Sequence, residues 1–155
     1  MRFRLLAVAA LVLSAMVAAG QDRDTRVYDP PMDGVSSPTL VKMVKPTYTP
    51  EAKAAQIQGW VMVSVVVLPD GKIGDVKVIE SCLGRIGTHR EPNGDPFRCA
   101  TTDERAKGVN PVNRGLDQQA VNAAKQWAYK PGMKDGKPVA VRILTRLDFH
   151  FLDSK

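Results

Sequence analysis

Residues 59–80 read GWVMVSVVVLPDGKIGDVKVIE, and this stretch decides the fold. Two apolar runs, 60–68 and 73–80, flank Pro69-Asp70-Gly71-Lys72. Valine and isoleucine suit the pleated, half-buried surface of a strand. Proline fixes φ, and glycine supplies the positive φ that a tight turn needs. The stretch therefore reads as a β-hairpin. Its first strand is apolar on both faces, with Val61, Val63, Val65 and Val67 on one and Trp60, Met62, Val66 and Leu68 on the other. Such a strand is expected at the centre of a sheet. The second strand sets Asp75 and Lys77 opposite Val76 and Val78, the pattern of an outer position.

Further along, Leu116, Ala120, Ala123, Ala124 and Trp127 recur at spacings of three and four, which predicts a helix over 116–127 with small residues at its contact face. Asp117 lies beside the positive end of that helix, and Pro131-Gly132 is expected to stop it and turn the chain. Residues 139–151 then alternate. Val139, Val141, Ile143, Thr145, Leu147, Phe149 and Phe151 share one face, and Arg142, Arg146, Asp148 and His150 share the other. A helix between strands two and three returns the chain, so those strands run the same way. An all-antiparallel sheet then needs strand one between them. The expected fold is α+β, a three-stranded antiparallel sheet in the order 2-1-3 with two helices packed on one face. The first helix is short, with Thr49 as N-cap and Pro50 at its first position. Strands two and three are left as edges, and an open edge is a template for pairing with another chain.

Arg2 and Arg4 precede an uncharged apolar run of about 15 residues ending in small residues, the signature of a secretory signal peptide over residues 1–20. The alternative is an uncleaved membrane anchor, although spanning a bilayer takes roughly 20 residues. No cysteine lies near the cleavage site to carry a lipid. Removing Arg2 and Arg4 takes two positive charges from the formal +6 and leaves +4. The basic residues are scattered among acids without interleaved aromatics, which argues against a nucleic-acid partner. Residues 21–39, rich in Pro and polar side chains, read as a flexible lead-in. One domain follows over 40–152. Its anomaly is residues 82–114, a Gly-, Pro- and Asn-rich insertion with no hydrophobic period. In an exported chain the two cysteines, Cys82 and Cys99, read as a disulfide that pins this insertion. The rival is a metal site of Cys82, His89 and Cys99, whose spacing matches no common zinc pattern.

No nucleophile–base set, phosphate-binding loop, metal set or cofactor motif is found, so the chain does not read as an enzyme. Its ordered segments do resemble a known family. Lys45-Pro46-Thr47-Tyr48-Thr49-Pro50-Glu51-Ala52, Gln58-Gly59-Trp60-Val61, Leu68-Pro69-Asp70-Gly71-Lys72-Ile73, Val78-Ile79-Glu80-Ser81, Leu116-Asp117-Gln118-Gln119-Ala120-Val121, Ala124-Lys125-Gln126-Trp127, Tyr129-Lys130-Pro131-Gly132 and Asp135-Gly136-Lys137-Pro138-Val139 together resemble the C-terminal domain of the TonB energy-transducer family. No single piece is specific, whereas the ordered set is.

The resemblance implies a periplasmic domain that captures an extended segment of an outer-membrane receptor by adding it as a strand to the edge of its last strand. Carried onto this chain, the partner-binding edge is Val139, Val141, Arg142, Ile143, Thr145, Arg146, Leu147 and His150. Arg142, Arg146 and His150 either read acidic or polar partner residues or form a solvated face. The expectation departs from a complete transducer in two respects. The N-terminus reads as a cleaved signal without the transducers' membrane histidine, and about 20 lead-in residues extend to only some 65–70 Å. A stand-alone exported protein-binding module is therefore expected, with no cofactor. The alternatives are a transducer anchored by an uncleaved N-terminal helix and a cell-wall-associated or structural domain that pairs with a second copy of itself.

Overall fold

The computed structural model describes residues 26–31, 34–85, 98–100, 103–104, 107 and 113–150. The signal peptide, His89, Phe151, Leu152 and much of the insertion lie outside the described residues. In chain order the elements are β1 (Val27–Tyr28), β2 (Thr39–Lys42), α1 (Pro50–Ala54), β3 (Ile57–Val67), β4 (Ile73–Arg85), β5 (Arg98–Cys99), α2 (Leu116–Ala124), β6 (Ala128–Lys130), β7 (Gly132–Lys134) and β8 (Lys137–Phe149).

The hairpin is β3–β4, and β8 lies on the other side of β3. The sheet is larger than the three strands expected. It has six, running β1-β8-β3-β4-β5 with β7 also paired to β8. A separate two-stranded sheet joins β2 to β6. The additions are short strands of two to four residues, too brief to show a period in sequence. The antiparallel trio at the centre is joined by one parallel pair, β1 on β8.

β3 is central because both its faces are covered or half-covered: Val61, Val63, Val65 and Val67 are buried, and Trp60, Met62 and Val66 are half-buried. Val61, Val63 and Val65 meet Leu116, Ala120, Ala123 and Ala124 of α2, Ala52 of α1, and Leu147 and Phe149 of β8 in the main core. Both helices pack on this one face. Thr49 caps α1 by accepting the Ala52 N–H at 3.1 Å, with Pro50 at the first position. Asp117, in the first turn of α2, accepts from the buried Ser81 hydroxyl at 2.6 Å and from the Asn113 amide at 2.7 Å, which ties the helix to β4. α2 ends at Ala124 rather than at Trp127. Pro131 follows β6 instead of stopping the helix.

The Pro69-Asp70-Gly71-Lys72 turn closes through Leu68 N–H to Lys72 O at 2.8 Å, with Asp70 accepting from Lys72 N–H at 3.0 Å. That bond and the Lys72 ammonium hold the Asp70 carboxyl below its ordinary pKa. Gly71 has φ +80, and its carbonyl accepts from Tyr129 N–H at 3.0 Å, so the turn docks onto β6.

The lead-in expected to lack structure contributes β1, and Tyr28 and Val35 are buried in a second small cluster with Val139 and Val141. Within the insertion, β4 runs on to Arg85, and β5 pairs with it at Cys82–Cys99 and Leu83–Arg98. Cys82 and Cys99 are disulfide-bonded, a separation of 17 residues. With both sulfurs in that bond, the neighbouring Glu80 has no thiolate beside it to share a metal. Among the described residues no helix is long and apolar enough to cross a membrane.

Candidate docking edge and groove

The functional candidate is built on β8, whose alternation is as expected. Val139, Val141, Leu147 and Phe149 are buried and Ile143 and Thr145 half-buried, while Arg142, Leu144, Arg146 and Asp148 are exposed on the opposite face. β3 pairs with β8 from Gly59–Phe149 to Val67–Val141. On the flank away from β3, β1 takes Ala140 and Val141. Val139 is paired with Gly132 of β7. Among the described residues no strand pairs with the β1 flank beyond Val141. The eight residues carried forward from sequence thus fall into two sets. Val139 and Val141 are already engaged within the chain, whereas Arg142, Ile143, Thr145, Arg146, Leu147 and His150 lie along the remaining stretch.

Beside that stretch is a groove of about 640 Å³. Residues 145–150 all line it. Successive side chains of a strand point to opposite faces, so an unbroken run can line one groove only along the strand's edge. The opposite wall is residues 43–48, which run between β2 and α1 without pairing as a strand. Trp127 and Tyr129 also line the groove, as do Leu40 and Lys53.

Each wall has a physical cause. The Trp127 indole N–H donates to Val44 O at 2.8 Å and fixes the outer wall. The Tyr48 hydroxyl donates to Ile57 O at 3.0 Å, and its ring meets Phe149 edge-on at 5.6 Å between centroids, which ties that wall to the core below. Trp127 and Tyr129 are neighbouring rings, 6.5 Å apart and tilted by 54°. Burial raises the Tyr129 phenol above its ordinary pKa of 10.0. Leu40 and Met43 are exposed apolar side chains in the lining.

The charge in the groove is mostly positive. Lys45, Lys53 and Arg146 line it, against the single acid Asp148, and His150 adds a polar ring. Asp148 is bonded to Arg146 at 2.7 Å, and the Arg146 guanidinium also lies 4.9 Å from the centre of the Trp60 ring. Arg142 is engaged with Asp29 at 3.2 Å. Sequence reasoning missed the whole outer wall, Trp127 and Tyr129. The available signal was the Lys45-Pro46-Thr47-Tyr48 segment ahead of α1, used only for the family resemblance.

An α+β module with an open stretch of strand edge beside a groove, among the described residues, is the class that these features define. The profile of the family described as Gram-negative bacterial TonB protein C-terminal matches residues 44–85 and 106–151, and the chain belongs to that family. It is 25% identical over 113 residues to Protein TonB of Escherichia coli (strain K12), an alignment that covers 73% of this chain and 35% of that protein. The chain thus spans about a third of the length of that curated relative. A solution NMR structure of the Pseudomonas aeruginosa TonB CTD aligns at 18% identity and a TM-score of 0.47, covering 84% of this chain and all of that one.

Proposed function

We propose that this chain is an exported, periplasmic protein-binding module that takes up an extended partner segment by strand addition. The docking place is the open flank of β8 from Ile143 onward. The observation that carries the reading is the groove between residues 145–150 and residues 43–48. An open strand edge offers main-chain donors and acceptors, and flanking pockets select alternate side chains. Apolar walls at Met43, Trp127 and Tyr129 suit apolar partner residues. The excess of Lys45, Lys53 and Arg146 over Asp148 favours a segment that carries acidic or polar residues. Family membership supports an outer-membrane receptor as the source of that segment.

The test is site-specific photo-cross-linking in envelope extracts, with the reactive group placed at Arg146 in the groove or at Lys77 on β4. The reading expects one extended segment of an outer-membrane protein to be captured from position 146 and not from 77. Capture from 77 alone, or of a second copy of this chain from 146, would overturn it.

A further inference from the structure

The flank of β8 that the proposed function uses is not open along its whole length, because the chain's own N-terminal segment is already paired there. Val27 and Tyr28 run parallel to β8 opposite Ala140 and Val141. This contact is built into the domain. Tyr28 is only 5% exposed and packs with Val35, Val139 and Val141. The Lys134 ammonium lies 4.5 Å from the centre of its ring. Ser36 donates its N–H to Met133 O at 3.0 Å and accepts the Met133 N–H on its hydroxyl at 2.9 Å, which fastens the segment to β7. At the end of β1, both Asp29 carboxylate oxygens face Arg142 Nη1, at 3.3 and 3.2 Å. Pro30 and Pro31 follow, and neither has an N–H with which to continue the ladder.

We infer that β1 is a built-in cis strand that closes the upper end of the β8 flank and sets the register of any strand added below it. The inference rests on the strand-addition reading for its consequence, though not for its test. With β1 seated, Asp29 and Pro30 stand where an incoming strand would reach Arg142. The added strand is then confined to the stretch from Ile143 to Phe149, about seven residues or roughly 23 Å at the usual rise. Tyr28 and Asp29 act as positioning residues: Tyr28 anchors the stop, and Asp29 holds Arg142 to it. A partner segment gains main-chain bonds up to that length and none beyond it. A segment in the wrong register meets the Asp29–Arg142 pair instead of an open edge.

Amide hydrogen exchange, read residue by residue on the full chain, tests this without any partner. In the parent, flank amides over 140–142 are expected to be protected and those over 145–149 to exchange freely. Tyr28→Ser is expected to speed exchange at least tenfold over 140–142 and to leave 145–149 unchanged. Unchanged exchange over 140–142 would overturn the inference, as would a parent whose flank is protected throughout. If Tyr28→Ser destabilises the whole domain and speeds every β8 amide alike, Asp29→Asn, which removes only the charge facing Arg142, is read instead with the same two outcomes. Failure of cross-linking from Arg146 would defeat strand addition and leave this result standing. Unchanged exchange over 140–142 in the variant would remove the stop and leave the docking flank below it standing, whereas a parent flank protected throughout would count against the stop and the open flank alike.

Discussion

The Trp127 indole N–H donates to the carbonyl of Val44 at 2.8 Å, across 83 residues of sequence. One hydrogen bond from just beyond the second helix therefore helps to hold the outer wall of the groove, residues 43–48, in place. That wall makes no ladder with β8, so its position depends on side chains such as this one and Tyr48.

Trp127→Phe keeps an aromatic ring under the helix and removes the donor. The expected loss of stability is about 1–3 kcal/mol, because a partly buried carbonyl is left without its partner. A drop in the urea midpoint at unchanged slope, together with faster amide exchange confined to 43–48, would bear this out. Unchanged exchange in that segment would show that the wall is held by other contacts.

Gly71 and Gly136 both have positive φ, +80 and +75, but their surroundings differ. A Cβ on Gly71 would lie 2.1 Å from Tyr129 O, whereas one on Gly136 would meet nothing within 4 Å. Gly136→Ala should cost about 1–2 kcal/mol, the backbone term alone. Gly71→Ala should cost more, because the turn must also separate from β6. Thermal melts of the two variants decide it, and equal losses would contradict the docking of the turn.

Cys82 and Cys99 face each other across β4 and β5, 17 residues apart in sequence. Replacing both with Ala should lower stability by roughly 3 kcal/mol in the chain-entropy account. Reductant added to the parent should reproduce that loss and leave the double variant unaffected. A variant as stable as the oxidised parent would show that the cross-link contributes nothing to the stability of the fold.

Burial raises the Tyr129 phenol above 10.0. The folded protein holds the phenol neutral while the unfolded chain ionises it. Stability from this group is therefore full below pH 10 and is lost as pH rises through the folded value. Tyr129→Phe should flatten that alkaline decline and leave the neutral-pH profile in shape. Denaturant titrations between pH 8 and 11 measure it, and an unchanged alkaline slope in the variant would assign the decline to other groups.

The parts legible in sequence are those with local causes. Valine alternation over 61–67 and 139–149, with Pro69-Asp70-Gly71 between strands, marks β3, β4 and β8. Leu116 and its alanines mark α2. What escaped reading is non-local. Val27 and Tyr28 carry no period of their own, and their pairing partners lie 113 residues away at Ala140 and Val141. β6 takes its place from Gly71, whose carbonyl receives the Tyr129 N–H. The edge residues of β8 could be named only through the family resemblance, and which of them β1 and β7 already engage could not be read at all. The groove needed the Trp127–Val44 bond, which spacing does not encode.

β4 differs from β8 in one respect that bears on how many neighbours a molecule can hold. Its pairing with β3 shifts register between Met62 and Val63, leaving Ile79 between the paired Val78 and Glu80, and Asp75 and Lys77 form a 3.0 Å ion pair on its outer stretch. A bulge twists an edge away, and charges along it discourage a second strand. Its far end is capped by β5. Among the described residues β4 thus carries features that work against an added strand. On the proposed reading, a molecule that docks a segment on β8 would then hold one at a time, and a union formed there would end after a single step.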